Sequence, residues 1–240
     1  MKEIFKNALS LFGKVAVSNV MCFIIVISMT VVTSMFFSNN IGYTAYGTIE
    51  GKEKSELLYN YYFEEGEDTK YAEYEAKGYK ITESALTEVS KTGYTIFLTV
   101  SQIFCFFVQA SFIHNFLWLK GTKDSNLSHF GHIKGDIFKG LKTGLLATVP
   151  SFVLLLFLVV TKSGISSQMP TALYKIINSS AYSLIELVNG KTVTFGNLNL
   201  LQILGLFAIQ LIVPIITFVS YWLGFKNISI SEKFIYKKNK

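Results

Sequence analysis

Arginine is absent from the 240 residues, and all twenty-two basic positions are lysine. The bidentate guanidinium fork that phosphoryl-transfer enzymes favour is therefore unavailable. Cysteine occurs only as Cys22 and Cys105, each inside a long apolar run, so no disulfide framework is encoded. Of the three prolines, Pro150 and Pro214 fall inside such runs. Each removes one backbone donor and predicts a bend there. The most telling absence is of charge: residues 15–37, 92–119, 143–161 and 198–225 contain no Asp, Glu or Lys.

These four runs are what the chain has in place of charge. A hydrocarbon core about 30 Å thick needs roughly 20 apolar residues in a helix, and each run is close to that length or longer. Lipid offers no partner to a free backbone N–H or C=O, so the runs are expected as helices. The expected fold is an all-α membrane protein. It has a four-helix transmembrane bundle, a small extracytoplasmic α/β cap over 38–91 and an interfacial amphipathic helix over 170–188. The first run exceeds the roughly 7–15 residues of a signal-peptide core and lacks an A-x-A-like site, which predicts an uncleaved span.

Charge gives the orientation. Lys2, Lys6 and Lys14 stand against Glu3 in residues 1–14, and five lysines stand against Asp124 and Asp136 in 120–142. In 226–240 five lysines stand against Glu232, whereas 38–91 carries six lysines and eleven acids. Lysine-rich short segments stay in the cytoplasm, so both termini and 120–142 are expected inside, with 38–91 and 162–197 outside. The composition suits a bacterial cytoplasmic membrane. Because the net charge of +6 is spread over membrane-flanking segments, it marks the lipid bilayer as a partner and excludes nucleic acid.

Nine of the thirteen tyrosines lie between Tyr43 and Tyr94. Leu57 to Phe63 reads as a strand ending in an acidic turn, and Tyr79 to Thr82 as a second strand. Between them Asp68 or Thr69 caps a short helix to Lys77, with Glu73 and Lys77 at i,i+4 spacing and Gly78 as the stop. Tyr59, Tyr61, Tyr62, Tyr71 and Tyr74 are the candidate partner-binding surface, since tyrosine joins an apolar body to a polar tip. The competing reading makes them the cap's own small core. The acidic run lacks the alternating ligand spacing of a calcium loop.

The spans carry few polar groups. Gln102, Cys105 and Gln109 share one helical face, as do Gln210, Pro214, Thr217 and Tyr221. Gln102, Gln109, Gln210 and Thr217 are candidate intramembrane polar contacts, read either as interhelical hydrogen bonds or as the lining of a polar path. His129, His132 and Asp136 offer a weak metal-like spacing with fewer ligands than structural zinc takes. No Walker loop, H-E-x-x-H or complete nucleophile elbow is present, so no catalytic residue, cofactor or enzyme activity is expected. In the 120–142 loop, Phe130, Ile133, Ile137, Phe138 and Leu141 recur near helical period, the kind of element a permease presents to a separate ATPase. The function expected is non-catalytic: an accessory or assembly subunit, or a surface sensor, acting with a protein partner or as a homo-oligomer. The alternative is a small permease or channel component coupled to a separate ATPase, its path lined by the three glutamines and Thr217.

Overall fold

Every apolar run is helical: the first three lie in helices that extend beyond them, and the fourth carries two helices. A computed structural model of the chain describes residues 2–49, 55–66, 68–160, 169–189 and 198–228. In chain order the elements are α1 (Lys2–Phe37), β1 (Ser38–Ile49), β2 (Glu56–Tyr62), α2 (Thr69–Ala76), β3 (Tyr79–Val89) and α3 (Lys91–His129). They continue with α4 (Lys139–Val160), α5 (Met169–Ile177), α6 (Tyr182–Asn189), α7 (Leu200–Gln210) and α8 (Ile212–Phe225). Four stretches are long and apolar enough to cross a membrane: α1, α3, α4 and α7 with α8. Their outward faces carry large apolar side chains such as Ile24 (59% exposed), Phe107 (63%) and Phe157 (57%). Asn19, Gln109, Thr148 and Gln210 turn inward instead, lining a single cavity. Water would penalise exposed apolar patches of that size, whereas lipid matches them. The chain is an integral membrane protein.

Two compact units divide the chain: Met1–Ile27 with Leu98–Lys240, and Ser28–Phe97. In the first, α4 packs closely on α8 through glycine. A methyl group on Gly144 would stand 2.0 Å from Thr217 Oγ1 and 2.9 Å from Pro214 Cα. One on Gly224 of α8 would stand 2.1 Å from the Trp118 carbonyl oxygen of α3. Small residues at such contacts let helix backbones approach, and dispersion then holds them where lipid gives no hydrophobic drive. At one end of this unit Asp124, 4% exposed, accepts from Lys139 Nζ at 2.7 Å and from the Tyr221 hydroxyl at 2.8 Å.

Pro150 sits within an unbroken α4, while the fourth apolar run is interrupted at Leu211, three residues before Pro214. Proline at 214 cannot donate to the Gln210 carbonyl and its ring crowds that turn, which accounts for the break. Residues 130–138 form turns and bends rather than the amphipathic helix expected there, and helix resumes at Lys139. Gly131, at φ +73, helps end α3. The single interfacial helix expected over 170–188 is instead two helices, α5 and α6, separated by a 3₁₀ turn at Ser179–Ala181. Tyr174 and Ile185, one from each, are fully buried in a core with Leu155 and Leu206.

The second unit contains a three-stranded antiparallel sheet ordered β2-β1-β3. Its central strand, β1, was not legible as a strand, and β3 runs eleven residues rather than the four expected. Gly42 is required by close approach: a Cβ there would stand 1.9 Å from the Tyr61 carbonyl oxygen. Asp68 caps α2, accepting from Lys70 N at 3.0 Å and Tyr71 N at 3.3 Å. Gly78 ends that segment at φ +82, and Lys77 bonds Glu73 at 2.6 Å, both as the spacing predicts.

Candidate functional site

Three consecutive polar residues, Asn178, Ser179 and Ser180, interrupt the α5–α6 segment, and all three are buried. Asn178, at φ −109 and ψ 39, has left the helical region. Backbone released from a helix ladder at membrane depth needs partners from protein. Backbone partners come from α1 and α3, while α4 and α7 bond side chains of the same segment. From α1, Asn19 Nδ2 donates to the Ile177 carbonyl at 2.7 Å and Asn19 Oδ1 accepts from Ser180 N at 3.4 Å. From α3, Gln102 Nε2 donates to the Ser180 carbonyl at 3.1 Å and Gln109 Nε2 to Ser180 Oγ at 2.7 Å. Ser151 Oγ of α4 donates to Asn178 Oδ1 at 3.1 Å. Gln210 Nε2, the last residue of α7, donates to the Tyr174 hydroxyl oxygen at 2.6 Å and to Asn178 Oδ1 at 3.4 Å.

Beside this break lies a cavity of about 310 Å³, at the lower end of the roughly 300–1,000 Å³ common for ligand sites. Asn19, Gln102, Gln109, Ser151, Asn178 and Gln210 supply its polar wall. Phe12, Val20, Phe106 and Val213 supply an apolar one. Each of the three glutamines donates through its amide nitrogen to the α5–α6 segment. Gln102 Oε1 is buried without a partner among the described residues. Gln109 and Gln210 likewise make their hydrogen bonds through nitrogen.

Lys175 and Glu186 face each other from α5 and α6 at 2.9 Å, with side chains only 12% and 6% exposed. Read singly, each is a charge that lipid would exclude. Paired across the break they form a neutral unit, which removes most of the objection. Glu186 Oε2 is buried without a partner among the described residues. Thr217, grouped with the glutamines by sequence, does not line the cavity; it is fully buried against Gly144 and donates to the Pro214 carbonyl at 2.7 Å.

The cap tyrosines are organised by one carboxylate. Asp68 accepts from the hydroxyls of Tyr43 and of Tyr59, the latter at 2.7 Å, besides capping α2. Burial would raise the Asp68 carboxyl, but the two phenol and two backbone donors outweigh it and hold its pKa below the usual value. Burial, and then the Asp68 carboxylate, push the Tyr43 phenol up to about 12 and the Tyr59 phenol higher. Tyr59 stacks on Tyr74 with centroids 5.5 Å apart, and Tyr74 meets Tyr79 edge-on at 5.8 Å. Tyr61 packs on Tyr43 and donates its hydroxyl to the Gly66 carbonyl. Tyr71 is half-buried on α2, and Tyr62 is the most exposed of the five candidates.

His129 and His132 are exposed, and His129 packs on Phe130. Asp136 accepts from Lys142 Nζ at 2.7 Å, and that ammonium holds its carboxyl below the usual range. Because 130–138 is not helical, the three-residue spacing of the histidines does not become a shared helix face. Among the described residues no group of three or more His, Cys, Asp or Glu gathers to hold a metal. Sequence reasoning missed Asn19, Tyr174, Asn178 and Ser180. A usable signal existed for Asn19, the one carboxamide in the first run.

Compared with family models, curated proteins and solved structures, the chain matches none.

Proposed function

We propose that this is a non-catalytic, multi-pass membrane protein that binds a small solute inside its first unit, as the solute-binding component of a permease. The carrying observation is the convergence of Gln102, Gln109 and Gln210 on one 310 Å³ cavity beside a helix break. Broken helices at membrane depth are stable where they line a cavity, and solute sites of transporters are built on them. The lysine distribution supports a cytoplasmic location for both termini and for the α3–α4 connection, with the tyrosine-rich unit outside. Exposed Phe130 (72%) and Phe138 (58%) give that connection an apolar surface on which a separate ATPase can dock.

Binding through the cap is the weaker reading, because the hydroxyls of Tyr43, Tyr59 and Tyr61 are used within the cap itself. The test is to purify the protein from native membranes in lipid nanodiscs and analyse by mass what remains bound. The expected result is a small molecule retained by the native chain and lost from a Gln109→Ala/Gln210→Ala variant that still elutes as a single folded species. A stoichiometric protein partner lost on cap deletion, with no small molecule bound, would overturn the cavity reading in favour of an accessory subunit.

A further inference from the structure

The lysine-rich end of the first unit carries a second concavity, between α1 and α3. Lys14, Ser111, Phe112, Asn115, Phe116 and Leu119 line a groove of about 400 Å³ there. Lys14 is the residue before the first apolar run and Lys120 the residue after the second, so both stand at the edge of the hydrocarbon layer. Their ammoniums converge on one ring: Lys14 Nζ lies 5.4 Å from the Phe116 centroid and Lys120 Nζ 5.8 Å. The ring attracts both charges but leaves their N–H donors without the oxygen acceptors a carboxylate would supply. Neither lysine takes part in an ion pair among the described residues. Asp124, one turn beyond Lys120, is committed to Lys139 and to the Tyr221 hydroxyl, and Glu3 is committed to Lys139. The Asn115 side chain, exposed in the same groove, makes no hydrogen bond among the described residues.

We infer that this groove seats the headgroup of an anionic phospholipid, its phosphate between Lys14 and Lys120 and a headgroup hydroxyl on Asn115. Charge and level both select that occupant. Two ammoniums beside one ring repel each other until an anion joins them, and lysine binds phosphate as a point charge. Basic pockets between helices at the membrane border hold acidic headgroups. Toward the middle of the runs, Val17 (52% exposed) and Met21 (47%) of α1 and Phe107 (63%) of α3 continue as apolar surface for acyl chains. Free phosphate would meet the two charges but gain nothing from that surface, and a choline headgroup would bring a like charge against the lysines. The inference is independent of the solute-binding reading, because the groove shares no lining residue with the 310 Å³ cavity.

The test is native mass spectrometry of the full chain, delipidated in mild detergent and titrated with dioleoylphosphatidylglycerol, dioleoylphosphatidylcholine or inorganic phosphate. Phosphatidylglycerol is expected to fill one site at least about tenfold more tightly than phosphatidylcholine. Lys14→Gln/Lys120→Gln should weaken it about thirtyfold, the product of two single-lysine contributions, and Lys14→Arg/Lys120→Arg should retain it. Lys2→Gln/Lys6→Gln, which removes two exposed lysines of the same helix, should leave it unchanged. Equal binding of the two lipids, or equal losses from the two glutamine pairs, overturns the site in favour of diffuse attraction to a basic face. Displacement of the lipid by millimolar inorganic phosphate overturns the lipid as occupant and assigns the groove to the free anion. The headgroup comparison needs the native chain alone, so it decides the question even where a variant fails to fold.

Discussion

The two units solve the same problem, keeping polar groups satisfied away from water, and arrive at opposite balances. In the cap one acceptor, Asp68, collects four donors: two phenols and two backbone amides. The Tyr43 and Tyr59 hydroxyls are thereby used within the cap. In the bundle three amide nitrogens are absorbed by one helix break, and Gln102 Oε1 remains unclaimed among the described residues. A fully satisfied polar network rigidifies its own fold, whereas an unmet buried acceptor carries its desolvation cost.

The contrast can be broken most forcibly at the bundle's glycine seam. Gly144→Leu drives a side chain into Thr217 and the Pro214 backbone, with an expected cost at the top of the roughly 1–3 kcal/mol typical of overpacking. Loss of monodisperse protein in size-exclusion chromatography, with near-ultraviolet tyrosine dichroism retained, would show the units to be separately stable. Next in size is Asp68→Ala, which removes a helix cap alone worth about 1–2 kcal/mol and leaves two phenols without their acceptor. Protease cleavage within 38–91 should accelerate while the bundle's melting temperature holds.

The same carboxylate sharpens the comparison through pH. Its folded pKa lies below the ordinary value, so its contribution is complete above the unfolded value near 3.9 and is lost as pH falls through the folded one. The cap's tyrosine dichroism should therefore fade on acidification below about pH 4, and Asp68→Asn should flatten that dependence; an unchanged acid profile would remove Asp68 from the account. Smaller still is Gln109→Ala, at about 0.6 kcal/mol for one interhelical hydrogen bond in a membrane, measured as a modest drop in thermal midpoint. Smallest is Glu73→Gln, which breaks an exposed i,i+4 pair and should leave melting unchanged within error.

Local rules were readable wherever the deciding contacts lie a few residues apart. A cap at Asp68 or Thr69, Gly78 as stop and the Glu73–Lys77 pair follow from spacing alone, and the structure puts the cap at Asp68. The apolar runs were legible for the same reason, since hydropathy is a property of the run itself. β1 was not, because two asparagines and two glycines in Ser38–Ile49 depress strand propensity. It is a strand because it is central, with β2 and β3 supplying partners on both sides. The α5–α6 break was hidden because no proline or glycine marks it and the apolar period continues through it. One of its hydrogen-bond partners, Asn19, lies over a hundred and fifty positions away in chain order, where periodicity does not register it.

The sheet register contains an instruction for shortening the chain. Ser38 pairs with Val89, and Ser90 N donates to the Phe37 carbonyl at 2.9 Å, so the end of α1 and the start of α3 are already neighbours. Directly opposed antiparallel residues stand about 5 Å apart, a span that a tight turn of a few residues closes. The tyrosine-rich unit is thus topologically an insertion with adjoining ends, and residues 39–88 can be exchanged for a short turn without pulling those helix ends apart. A graft of that kind turns the cap into a replaceable cassette, a place where a reporter domain or a foreign epitope can be installed.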